Sequence, residues 1–132
     1  MDDVEQVQAL AERFVAIIGK EPTSALMAPD GIIWHNFDDV EMTVDEVAAR
    51  QAERAQGGVQ PLLMDEVRIS AMPGLALLRY VFLFGTARDI RVPACMILTV
   101  DNGLITRLEE YIDGGALAEA RRQEAMAQQA AG

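Results

Sequence analysis

The chain has 132 residues, 51% of them hydrophobic and 24% charged, the composition of one folded domain with a real core. Acids outnumber bases 21 to 11, for a formal charge of −10, and this excludes a nucleic-acid or anionic-membrane surface as the working face, since both need a positive footprint. The single cysteine, Cys95, excludes an internal disulfide and reads as a buried structural thiol in a reducing compartment. The opening MDDVEQ has no basic stretch or leading apolar run, and no apolar run is long enough to span a bilayer, so a cytoplasmic setting is expected.

In chain order, Val4, Val7, Leu10, Ala11, Phe14, Ile17 and Ile18 fall on one face at helical spacing. Asp3 with Gln6 makes a capping-box pair before them and Gly19 ends the run. Glu21 to Met27 reads as a short second helix with Pro22 in its first turn. Pro29-Asp30-Gly31 reads as a turn, and Ile32 to Phe37 as a strand of β-formers. Thr43 with Glu46 caps a helix over 43–55, with Val44, Val47, Ala48 and Gln51 on its inner side. Gln56 to Pro61 is a loop.

From there the sequence is β. Leu62 to Met72 and Leu75 to Gly85 are strands joined at Pro73-Gly74. After a polar connection, Thr86 to Arg91, a hairpin follows: Val92 to Val100, the turn Asp101-Asn102-Gly103, and Leu104 to Asp113. An Asn-Gly step supplies the positive φ values that a tight hairpin needs. Ala116 to Gly132 has helix propensity, but only Leu117 and Met126 are large and apolar, so this tail is expected to fray or to pack on a partner. No repeat or domain boundary interrupts residues 1–132, which form a single domain. The order predicts an α+β fold: a curved, mostly antiparallel sheet wrapped around N-terminal helices, leaving a cone filled by side chains or by a ligand.

That order, with Ile33-Trp34-His35-Asn36 on the first strand and Gly103 to Asp113 on the last, resembles the SnoaL-like branch of the nuclear transport factor 2-like (cystatin-type cone) superfamily. The superfamily includes polyketide cyclases, ketosteroid isomerase, limonene-1,2-epoxide hydrolase, dehydratases and non-catalytic binding domains. The phrasing is nearest to limonene-1,2-epoxide hydrolase. Trp34 and Asn36 hold the spacing of an aromatic and an Asn on its first strand, Asp113 matches the Asp ending its last strand, and Arg79 matches the Arg of its middle-strand dyad. Val81 stands where the dyad's acid would be. The resemblance implies a cone fold, a small mostly apolar ligand, no metal and no organic cofactor.

On this reading Asp113 and Arg79 are the candidate catalytic groups, and Trp34, Asn36, Tyr111 and Val81 are the candidate substrate contacts. Alternation puts Tyr111 and Asp113 on one face, where an apolar cone would raise the Asp113 pKa and make it an acid or base. Asp113 capping the tail helix through Gly114-Gly115-Ala116, or pairing with Arg79, is the structural alternative. Arg79 lies among apolar residues and must pair or reach water. His35 points away from Trp34 and Asn36 and is expected at solvent or an interface, unless a bulge turns it inward as a base; a lone His without other donors at ligand spacing is not a metal site. Arg79, Val81 and Leu83 share one face of their strand, with Tyr80, Phe82 and Phe84 on the other. Both faces are apolar, which predicts a homodimer through the sheet. The function expected is acid/base proton transfer of isomerase, cyclase, dehydratase or hydrolase type on a small apolar substrate. The alternative is a non-catalytic hydrophobic-ligand-binding or dimerisation domain of the same fold.

Overall fold

Helix α1 (Val4–Ile17) starts at a complete capping box, in which the Asp3 carboxylate accepts the Gln6 N–H and the Gln6 side chain accepts the Asp3 N–H. Its stripe Val7, Leu10, Ala11 and Phe14 is buried against the sheet. The computed structural model describes residues 1–58, 62–85 and 87–131. The expected loop from Gln56 to Pro61 and the connection beginning at Thr86 therefore lie partly outside the described residues. The expected second helix is a short 3₁₀ turn, Thr23–Leu26, with Pro22 preceding it.

Strand β1 (Met27–His35) begins earlier than its β-formers suggest and runs through Pro29-Asp30-Gly31, where its pairing with the last strand shifts register. A short strand that the sequence did not announce, β2 (Val40–Thr43), folds back antiparallel on β1. Thr43 then caps α2 (Val44–Gln56) by accepting the Glu46 N–H. Only Val44 of α2 is buried, so this helix lies shallowly over β1. Strands β3 (Met64–Met72), β4 (Leu75–Phe84), β5 (Ile90–Asp101) and β6 (Leu104–Ile112) complete the sheet. The β5–β6 turn has φ of 50° at Asn102 and 73° at Gly103, as the Asn-Gly step requires.

The sheet has six strands in the order β2-β1-β6-β5-β4-β3, antiparallel throughout except where β1 lies parallel to β6. This is an α+β domain whose curved sheet takes helices on one face. On that inner face Ala76, Leu78, Tyr80, Phe82, Phe84, Val92, Met96, Leu98, Ile105 and Leu108 form one core with the α1 stripe. The tail forms helix α3 (Gly114–Ala131) and packs on its own sheet, burying Leu117 and Ala120 in that core.

Candidate active site

The site is set by one inserted residue. Near the turn, β5 and β6 pair as Asp101 with Leu104 and Val100 with Ile105; beyond it they pair as Thr99 with Arg107 and Leu98 with Leu108. Thr106 is the extra residue of this β-bulge, and its hydroxyl donates to the Thr99 carbonyl at 3.3 Å. The insertion reverses the parity of β6. Leu108, Glu110 and Ile112 are buried on the inner face, while Arg107, Glu109 and Tyr111 turn outward.

Glu110 is thereby carried into the apolar core at 7% exposure, among the few buried polar or charged residues of the described chain. Parallel pairing sets His35 of β1 beside it, and His35 Nε2 lies 3.4 Å from Glu110 Oε1. The Tyr80 hydroxyl of β4 donates to Glu110 Oε2. Burial raises the Glu110 carboxyl above its ordinary range, and the Tyr80 bond offsets part of that rise. Burial likewise pushes the Tyr80 phenol far up, with the neighbouring Glu110 adding to it. His35 is lowered, chiefly by burial, against an opposing pull from Asp38 and with further lowering from Arg50 and Arg121. Both members of the His35–Glu110 pair thus shift toward their neutral forms, which weakens this contact as an ion pair. The His35 side chain keeps 23% exposure and stacks 5.1 Å from Phe37, over which Arg121 of α3 lies at 5.8 Å. His35 is the link between the buried acid and the surface.

The residues singled out by sequence fall elsewhere. Asp113 precedes α3 and accepts the Ala116 N–H at 3.0 Å, the helix-capping alternative. Asn36 continues the sheet with its side chain, donating to the Ile112 carbonyl at 3.1 Å and accepting the Ile112 N–H at 2.9 Å. Trp34 donates to Asp39 at 2.8 Å and meets Tyr111 edge-on at 5.2 Å. Arg79, Val81 and Tyr111 are brought together, but on the outer face, where they line an open groove of about 760 Å³ with Glu66, Arg68, Pro93 and Cys95. Cys95 is half-buried there rather than sealed in the core. His35 does point away from Trp34, as alternation requires, but that side is the interior. The signal that could have found Glu110 is Leu108-x-Glu110-x-Ile112, an acid between two apolar residues of one strand face. Among the described residues no group of His, Cys, Asp and Glu is arranged to hold a metal ion.

Solved structures share this architecture. A candidate polyketide cyclase from Xanthomonas campestris superposes with a TM-score of 0.73 at 12% identity, over 89% of this chain and 97% of that one. A SnoaL-like candidate polyketide cyclase from Shewanella putrefaciens gives 0.71 at 18%, over 89% and 86%. A candidate ketosteroid isomerase from Kribbella flavida gives 0.70 at 22%, over 86% and 82%. The chain has the SnoaL-type, nuclear transport factor 2-like fold. No protein-family model and no curated protein matches it, so the likeness is one of fold. In this SnoaL-type cone the inner face carries the Glu110 couple and the outer face carries the groove. No helix of the described chain is long and apolar enough to cross a membrane.

Proposed function

We propose that the chain is a SnoaL-type acid/base enzyme that moves a proton on a small, mostly apolar molecule, with His35 meeting the substrate and Glu110 as its buried partner. The observation that carries this reading is Glu110. A carboxyl at 7% exposure, held by one phenol and one imidazole, weakens a core that an apolar residue would fill more cheaply. Environments that push an acid up and a neighbouring imidazole down draw their proton affinities together, the condition for exchange near neutral pH. In the form that carries the ring proton on Nε2, facing an ionised Glu110, Nδ1 takes a proton from a carbon acid, leaving an enolate and an imidazolium opposite the Glu110 carboxylate that Tyr80 holds in place. Return of that proton to another carbon of the enolate restores the neutral imidazole and completes an isomerisation. No organic cofactor or metal is needed for such a step.

Similarity to a candidate ketosteroid isomerase suggests the first assay. A β,γ-unsaturated ketosteroid is followed for conjugation, and small ketones in D₂O are followed by NMR for α-proton exchange. Turnover is expected to fall by about 10²-fold or more in Glu110→Gln and His35→Gln, the usual worth of a positioned acid or base. Undiminished turnover in either variant would remove that residue from the mechanism.

A second reading, a non-catalytic ligand-binding or dimerisation domain, draws on α3, whose Leu117 and Ala120 at 5% and 0% exposure fill the cone with the chain's own side chains. It predicts no exchange with any ketone. A homodimer through the sheet fits either reading, because Leu75, Leu77, Val81, Leu83 and Ile97 are only half-buried on the outer face. Sedimentation is expected to give a dimer at micromolar concentration, and a monomer there would contradict it.

A further inference from the structure

The floor of the outer groove carries charge that the described chain does not balance. Arg68 of β3 lies directly across from Arg79 of β4, Arg79 across from Cys95 of β5, and Cys95 across from Tyr111 of β6, in one row over four strands. Both arginines are exposed, and neither guanidinium has an ion pair or hydrogen bond with any described residue. Like charges directly opposed across a ladder work against the sheet.

Two of the nearby carboxylates, Glu66 and Glu109, are committed elsewhere. The β3 strand carries an extra residue between Asp65 and Arg68, and Glu66 in that bulge has φ of 54°. A non-glycine residue in this region is strained, and bulges of this kind re-aim side chains. Glu66 is aimed at Arg91, with which it makes an ion pair. Glu109 accepts from Arg107 at 3.2 Å and from the Tyr111 hydroxyl at 3.1 Å. Val81 and Pro93, paired across β4 and β5, supply apolar walls beside the uncompensated pair.

We propose that this groove binds a small organic oxyanion, a carboxylate or phosphate monoester carrying an apolar group, with Arg68 and Arg79 gripping its charged head. Guanidinium groups match such oxygens through parallel N–H donors, and the apolar walls take the stem. The chain's net charge of −10 opposes general anion binding, so affinity must come from this local pair. The site lies on the opposite face of the sheet from Glu110 and is independent of the acid/base reading.

The experiment is calorimetric titration of the full chain, in zwitterionic buffer free of phosphate and sulfate, with phenyl phosphate, benzoate, inorganic phosphate and the neutral control benzyl alcohol. Saturable binding of phenyl phosphate or benzoate is expected, with benzyl alcohol silent and inorganic phosphate weaker for want of a stem. Arg68→Gln and Arg79→Gln, both exposed and checked for folding by circular dichroism, should each weaken binding at least tenfold. Glu110→Gln should leave binding unchanged, which separates the groove from the inner site. Absence of saturable binding overturns the proposal, as does binding indifferent to both arginine variants. A dimer equally tight with and without these anions, and weakened by Arg79→Gln, would assign the arginines to carboxylates of the second copy and overturn it too.

Discussion

Replacing Glu110 by glutamine keeps the shape of the side chain and removes its proton. The amide can still accept from Tyr80 and face His35, so the core is not emptied. In the parent chain burial raises the folded-state carboxyl above its ordinary value of 4.5. The folded protein then holds a proton that the unfolded chain has already released. Between the unfolded and folded values stability falls as pH rises, by up to about 1.4 kcal/mol per pH unit, because the unfolded state binds fewer protons. The Glu110 contribution is full below 4.5 and is lost as pH climbs through the folded value. His35 has the opposite sign. Burial lowers it below 6.5, so stability rises with pH from its folded value up to the unfolded one.

Where the two windows overlap the slopes oppose each other, and the parent chain is flatter in acid than either group alone would make it. Glu110→Gln removes the falling limb and leaves the rising one, since the groups acting on His35 through charge are Asp38, Arg50 and Arg121. The stability difference, variant minus parent, should therefore be constant below pH 4.5, grow through the Glu110 window and level off above it. Urea denaturation from acid to mildly alkaline pH, followed by fluorescence of the only tryptophan, Trp34, and by circular dichroism, measures it. His35→Gln should show the mirror result, a steeper fall with pH. Stability curves for Glu110→Gln and parent that run parallel across this range would refute the reasoning, because Glu110 would then titrate alike in both states.

Gly19 has φ of 77°, and a Cβ there would lie 2.3 Å from the Leu62 carbonyl oxygen, so Gly19→Ala should cost about 2 kcal/mol or more in urea denaturation, whereas a loss below about 0.5 would refute the contact. Asp2 ties two hairpin turns to the N-terminus: its carboxylate accepts the Gly103 N–H at 2.8 Å and its carbonyl accepts the Gly74 N–H at 2.9 Å. Asp2→Ala removes the first bond only and should cost about 1–3 kcal/mol, with hydrogen exchange at Gly103 accelerated and that at Gly74 less affected.

Local chemistry made the elements legible. Asp3 and Gln6 start α1, Thr43 starts α2, and Asn102-Gly103 turns the last hairpin where the sequence says they do. The strand β2 was not legible, because Val40 to Thr43 alternate in polarity over only four residues, bury only Met42 and form a strand only by pairing with β1. The N-terminal tie through Asp2 was equally hidden, since it joins residues 101 positions apart.

The site failed to show itself for a different reason, which is parity. Alternation correctly separates Arg79, Val81 and Leu83 from Tyr80, Phe82 and Phe84, yet both sets are apolar enough to be the core. Only the helices decide, by covering the second set. On β6, counting in twos from the turn gives Ile105, Arg107, Glu109, Tyr111 and Asp113 as one face, and Ile105 anchors that face to the interior. The apolar pair Leu108 and Ile112 belongs to the opposite parity, and a regular strand cannot bury both sets. Thr106 resolves the conflict by insertion, so Ile105, Leu108, Glu110 and Ile112 all face inward. The same insertion that completes the core draws a carboxyl into it, and it leaves Tyr111 outside, in one row with Arg79 across Cys95. The Glu110 couple within the sheet thus follows from the placement of a single residue, whereas the arginine row outside follows from the face of β4 that the helices leave uncovered.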